Sequence, residues 1–514
     1  MSITGHNVYT STVDESDSAR YEAELDRLRS SAGQRLGHRI GGDLVLEGDV
    51  QERIDPCDRE TIATEIHTAD AAIIERAIAA ARRARGSWAG LKPEERVAHL
   101  AKVKEVVRAR KPEIAALSSY ETGKPRADAL SETSELEALI DYYSEQVLST
   151  NNYQLEMVPP SANASARIRL QPYGVFGIIA PFNFPVAIPM TMAAAALIMG
   201  NTVVLKPSAL TPRCGDFFGD LFEEAGLPAG VVNIVQGDAP TGEALVASDV
   251  DGMAFTGSAD VGLGILARFA EPPYNRPMLA EMGGKSPTIV TSSADPEVAA
   301  RAILPSAFAL SAQRCNASSR VIVSRDRHDE FVEAMCAEAS ARKIGDPREA
   351  DSYAGPLINL PAFERYHEAV AIAERDGQLA LGGGSAPEGG LYPEMTVVTG
   401  LERGHDLTRR ELFVPILTVT PYDEFDDAIE EANAVRFGLA AGIFTEDRGE
   451  RDQFLDQIEA GILMVNNPSG GTTGVWPGSQ SMAGWKASGT TGKGGFGPWY
   501  LTQFAREQSY TEFS

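Results

Sequence analysis

Between Gly174 and Phe255 short apolar runs alternate with helical patterns, and no other feature of the chain restricts its fold so strongly. Gly174–Ala180, Thr202–Leu205, Val231–Val235 and Gly252–Phe255 read as strands. The stretches between them, Ile188–Met199, Gly215–Ala225 and Gly242–Ala247, read as helices. Such alternation predicts a parallel sheet covered by helices. A second α/β series runs through Thr288–Val290, Val321–Val323, Glu330–Arg342, Ile416–Thr420, Phe425–Ala434, Ala440–Phe444 and Ile462–Val465. A chain of 514 residues is too long for one ordinary domain, so two large α/β domains with smaller additions are expected.

Upstream, helical periodicity marks Asp70–Ala84, Glu94–Arg110 and Glu132–Ser149. Ser149–Ala164 is polar and contains prolines, which predicts an extended hairpin or excursion. Residues 1–38 are polar and acidic, with a helical pattern near Ala19–Leu36, and read as an appendage to the main fold. The last fifty residues are rich in Gly, Ser and Thr.

A formal charge of −26 argues against nucleic-acid or anionic-membrane partners, both of which need a basic surface. Ten lysines stand against 36 arginines. Strong acidity with so little lysine fits a salt-adapted, halophilic surface, and equally an ordinary acidic enzyme from a GC-rich genome. No apolar run reaches the length of a membrane helix, and the N-terminal text lacks the pattern of a secretory signal, so a cytoplasmic location is expected. The four cysteines, Cys57, Cys214, Cys315 and Cys336, form no CxxC pair, which argues against a metal site and a disulfide framework. Taken alone, each is a small buried apolar residue.

Several texts carry chemistry. Gly492–Gly497 matches GxGxxG literally but follows no strand, so it reads as a flexible loop. Pro181-Phe182-Asn183 places an amide in a turn after a buried strand, where Asn183 either caps a helix or stabilises an oxyanion. Lys206 and Ser208 follow the next strand, at the edge where open α/β sheets bind cofactors. Phe255-Thr256-Gly257-Ser258 repeats that strand-to-turn arrangement and could present a helix N-terminus to a pyrophosphate. Leu279–Pro287 sets Glu281 before a Gly-Gly pair, and Ala312–Ala317 sets Cys315 beside an arginine.

In this order these texts resemble the aldehyde dehydrogenase superfamily, as do Glu411-Leu412-Phe413-Val414-Pro415 and Phe437–Phe444, over about residues 40 to 513. The resemblance implies a Rossmann-like cofactor domain at residues 39–147 and 171–280 and a catalytic domain at 281–488. An oligomerisation flap is implied at 148–170 and 489–514, with 1–38 as an N-terminal extension and a homodimer or homotetramer as the assembly. It implies NAD or NADP as cofactor, an aldehyde as substrate and no metal. Cys315 would be the nucleophile, Asn183 and the Cys315 backbone N–H the oxyanion donors, and Glu281 the base that hydrolyses a thioester. Pro181, Phe182, Lys206, Ser208, Phe255, Thr256, Gly257, Ser258, Glu411 and Phe413 would contact the cofactor. Lys285 would organise backbone around the Gly-Gly turn.

Three positions depart from the superfamily pattern. Ala209 stands where many relatives have an acidic residue that rejects a 2′-phosphate. Met192 stands where some have a lysine near the oxyanion site. Ser481-Met482-Ala483-Gly484 lacks a customary aromatic, which predicts loss of one aromatic wall of the substrate tunnel. Thr472–Gly478 resembles the anchor loop of the glutamate-semialdehyde dehydrogenase group. That likeness implies that the Gly474 and Val475 amides hold a substrate α-carboxylate, with Asn316 adding a polar contact. L-Glutamate 5-semialdehyde is thus the leading substrate, with 2-oxoglutarate semialdehyde, succinate semialdehyde or general aldehydes as alternatives. A CoA-acylating enzyme would not need Glu281, and a non-catalytic protein on the same fold would be expected to lose Cys315 or Glu281. Glu132 is either an acidic residue near the site or part of a solvated helix face.

Overall fold

The computed structural model describes residues 15–271 and 273–514, so residues 1–14 of the expected N-terminal extension lie outside the described residues. Helix α1 (Glu15–Ser30) stops where Gly33 turns at φ +75°, a left-handed conformation that glycine adopts without steric cost. Gln34–Leu36, expected to prolong that helix, instead pairs parallel with Asp58–His67. Nor is α1 an appendage. Tyr21 and Leu25 are fully buried in the largest apolar core, where α1 packs on α2 (Lys111–Thr122).

Helix α2 has almost no solvent face, so its sequence carries no amphipathic period by which to find it. After Gly123 the chain enters α3 (Arg126–Ser149), the longest described helix, which runs past the later α4 (Ala187–Ile198).

Two seven-stranded sheets form the body. In the first, Met278–Met282, Gly252–Gly257, Val175–Ile179, Thr202–Lys206 and Val232–Ile234 lie side by side and parallel, in that spatial order. His38–Ile40 and Asp43–Val45 extend its edge antiparallel. Strand order reverses on either side of Val175–Ile179, the arrangement that opens a crevice at the carboxyl ends of strands. In the second sheet Ser286–Val290 sits between Ser318–Ser324 and Ala440–Phe444, again parallel. Both sheets match the expected alternation of strand and helix. The Ser149–Ala164 excursion proves to be a hairpin: Leu155–Met157 pairs with Ala164–Pro172, whose other edge takes Ala505–Phe513 in a nine-residue antiparallel register.

Candidate active site

Asn183, Lys206, Ser258 and Glu281 all lie at or just beyond the carboxyl ends of parallel strands in the first sheet, and therefore along one edge of it. Cys315 reaches the same region from the second sheet, three residues before the strand that opens at Ser318. The backbone leading to it is unusual. Leu310, Ser311 and Ala312 have φ of +54°, +51° and +57°, a run of left-handed residues that L side chains rarely adopt. Tertiary hydrogen bonds hold the segment: Ser311 Oγ donates to Gly355 O, and Gln313 Oε1 accepts from Ile358 N at 3.0 Å.

Cys315, Glu281 and Asn316 line one cavity of about 110 Å³ together with Gly474 and Val475. Burial and the nearby carboxylates of Glu281 and Glu411 push the Cys315 thiol up to about 12, against which the backbone N–H groups of Asn316 and Cys315 favour the thiolate. Asn183 is buried and its Nδ2 donates to Gln313 O at 2.9 Å, which leaves its second N–H for another acceptor. Glu281 Oε1 accepts from Gly495 N at 2.6 Å, and burial raises its carboxyl to about 7. The loop Gly492–Gly497 is therefore part of the site rather than a free loop: Gly494, Gly495 and Phe496 are buried, and a Cβ on Gly495 would come within 2.9 Å of Thr191. Glycine there lets the backbone N–H reach the carboxylate.

Aromatic walls persist without the customary residue near Met482. Phe184, Trp476 and Phe496 line the cavity beside Met482 itself. The sequence also undervalued one helix. Asp128, Glu132 and Glu135 of α3, spaced i, i+4 and i+7, share the face turned to the cavity. Glu132 is not solvated. It is buried, with Lys124 Nζ at 2.5 Å. Glu135 makes no hydrogen bond or ion pair among the described residues, and burial next to Glu132 raises it to about 8. Acidic spacing on one helical face was the available signal.

A second cleft, of about 660 Å³, opens on the other side of the first sheet's edge, lined by Ile179, Lys206, Ser208, Gly242 and Ile265. Lys206 Nζ donates to Pro207 O and Gly237 O, both at 3.0 Å, and its burial lowers the ammonium to about 8. Ser258 is the exposed N-cap of α5 (Ala259–Phe269) and its side chain caps nothing, so the helix's first amides remain available to an anion. Glu411 Oε1 accepts from Gly284 N at 3.0 Å, and a Cβ at Gly283 would collide with its carboxylate. Phe413, at φ +58°, meets Phe182 edge-on at 6.0 Å, next to Pro181 in the turn. Thr256 borders the catalytic cavity, and Gly257 ends its strand. Phe255 is buried in the sheet's own core against Gly257 and Gly262, and its ring lines neither cavity, contrary to the expected cofactor contact. An apolar slot ending in a lysine and an uncapped helix start suits an adenine nucleotide with a pyrophosphate.

Lys285 does not bond the Gly-Gly turn. Its Nζ is buried without a hydrogen-bond partner, and burial brings it to about 7. Arg320 does the organising, donating from Nε to Lys285 O and from both terminal nitrogens to Glu431 O and Ala432 O. Among the described residues no group of His, Cys, Asp and Glu could hold a metal ion.

A half-buried cysteine facing backbone amides, a carboxamide hydrogen-bonded to the chain two residues before it and a carboxylate near neutrality, all adjoining a cleft suited to a nucleotide, define a site for oxidation through a covalent cysteine adduct. The chain belongs to the aldehyde dehydrogenase family, whose description matches residues 46–510. It is 33% identical to 1-pyrroline-5-carboxylate dehydrogenase 1 of Halalkalibacterium halodurans over 513 residues, 99% of this chain and 98% of the relative. In structure it is similar to 1-pyrroline-5-carboxylate dehydrogenase from Thermus with bound NAD, at TM-score 0.94 and 28% identity over 100% of both chains. A betaine aldehyde dehydrogenase from Staphylococcus aureus aligns at TM-score 0.87 and 25% identity, covering 96% of this chain and 97% of that one.

Proposed function

We propose that the enzyme oxidises L-glutamate 5-semialdehyde to glutamate, with NAD or NADP as the oxidant. One observation carries the substrate. Gly474 and Val475 line the catalytic cavity, and neither backbone nitrogen donates a hydrogen bond among the described residues. A carboxylate is the natural partner for two such amides. Glu135, which lines the same cavity and makes no hydrogen bond or ion pair among the described residues, is the group an ammonium would partner, because an incoming positive charge offsets the burial that holds its carboxyl protonated. A substrate carrying both groups is an α-amino acid, and its aldehyde must reach Cys315. The names of the relatives above agree with that reading.

In the reaction, Cys315 Sγ adds to the aldehyde carbon while the free N–H of Asn183 and the Cys315 amide receive the oxyanion. The nicotinamide, when bound, supplies the hydride acceptor. The resulting thioester is hydrolysed by water that Glu281 deprotonates after leaving the Gly495 amide. Asn316 Nδ2 donates to Thr472 O at 3.3 Å and so ties the anchor loop to the nucleophile's neighbour.

On the same footing, residues 39–147 with 171–280 would bind the cofactor, 281–488 would carry the nucleophile, and 148–170 with 489–514 would join protomers. Met157, Val158 and Phe513 expose apolar side chains on that last unit, which supports a homodimer or homotetramer. Among the described residues no helix is long and apolar enough to cross a membrane. A free-thiol nucleophile favours a reducing, cytoplasmic setting, and the charge of −26 supports a salt-adapted surface.

Rate comparison against pentanal, of equal chain length, tests the substrate. Glutamate semialdehyde should be preferred by up to roughly 10⁴-fold in kcat/KM, because an analogue leaves the amides unpaired. Equal efficiency for both would refute it. The φ of +99° at Gly474 rules out Gly474→Pro as a clean test, since proline requires a negative φ.

A further inference from the structure

We propose that Asp128 and Glu132 are positioning residues for the oxyanion site: two carboxylates one turn apart on α3 hold the two backbone segments that carry its donors. The inference rests on the oxyanion role of Asn183 proposed above.

Glu132 reaches across to the start of α4. Its Oε1 accepts from Val186 N at 2.9 Å and Ala187 N at 3.1 Å. Val186, the N-cap, makes no side-chain cap of its own. A helix start needs acceptors for its first amides and favours a negative charge, so Glu132 caps α4 from another helix. Only Phe184 and Pro185 separate this cap from Asn183. Oε2 is equally occupied, by Ser118 Oγ at 2.8 Å and Lys124 Nζ at 2.5 Å. With both oxygens taken, Glu132 borders the cavity without being free to bind substrate.

Asp128 does the corresponding work on the other segment. Its Oδ1 accepts from Arg314 Nη2 at 2.7 Å, and Arg314 immediately precedes Cys315. The two cations also converge on Phe184, Lys124 Nζ at 4.4 Å from the ring centroid and Arg314 at 5.7 Å. Asn183 itself bonds Gln313 O, so the two anchored segments meet at the donors. Burying a Lys–Glu pair at 0% exposure is a costly way to fill a core, and apolar side chains would serve packing as well. What the pair adds is a fixed direction for the chain around Asn183.

The test is a double-mutant cycle read by the pre-steady-state burst of NADH. Glu132→Gln should slow the burst ~10- to 100-fold, with NAD affinity unchanged and alkylation of Cys315 by iodoacetamide at the wild-type rate, because alkylation forms no oxyanion. In an Asn183→Ala background the same substitution should have little further effect, since it acts through that amide. If Glu132→Gln gives no soluble protein, Ser118→Ala, which removes one bond to the carboxylate, takes its place in the cycle. An additive loss, or alkylation slowed in step with the burst, overturns the positioning role alone. A normal burst in Asn183→Ala by itself overturns the oxyanion reading and this inference with it.

Discussion

Glu281 rests on the Gly495 amide with a carboxyl raised to about 7 by burial. A base works only when deprotonated, so thioester hydrolysis should be slow below that value and rise with pH to a plateau above it; a kcat profile flat from pH 5.5 to 8.5 would contradict this assignment. Glu281→Gln should release one NADH per site and stall, whereas Cys315→Ala should give no burst yet bind cofactor normally. Steady turnover by the Glu281 variant would place the base elsewhere. Both residues were legible in the sequence because short texts of distinctive chemistry surround them. Glu132 was legible only as one of two alternatives and Glu135 not at all, since a helical sequence by itself does not say which neighbour covers its acidic face. Lys285 shows the opposite error: its place in a distinctive text suggested a backbone contact that Arg320, remote in sequence, makes instead.

At the scale of elements, strands with covering helices were readable because a parallel sheet demands continuous apolar runs. Helix α2 was not, because burial on nearly every side erases periodicity. The contact between α1 and α2 was also out of reach of local pattern, yet Tyr21 there is fully buried and its ring lies 4.7 Å from the Arg126 guanidinium. Truncating a buried ring costs about 3 kcal/mol. Tyr21→Ala should therefore lower the melting temperature by several degrees while kcat stays near wild type. An unchanged melting temperature would show that α1 contributes no stability.

For the whole molecule, surface charge and assembly are the testable properties. Self-repulsion from a charge of −26 is screened at molar salt, where the Debye length is ~3 Å. The melting temperature should climb steeply from low salt to molar KCl, and a flat profile would indicate an ordinary acidic enzyme. Light scattering should give a multiple of the 55.0 kDa chain mass, and a lone 55.0 kDa species would remove the proposed oligomer. The pairing of Ala164–Pro172 with Ala505–Phe513 has a further consequence, in time rather than in space. Arg169 and Gln508 meet across 339 residues, and Glu281 meets Gly495 across 214. Closing a loop of the first size costs about 5 kcal/mol in chain entropy, with no return until both sheets already exist to bring its ends together. During refolding from denaturant, helical signal should therefore return well ahead of activity, because the polypeptide that holds the general base is among the last to find its place.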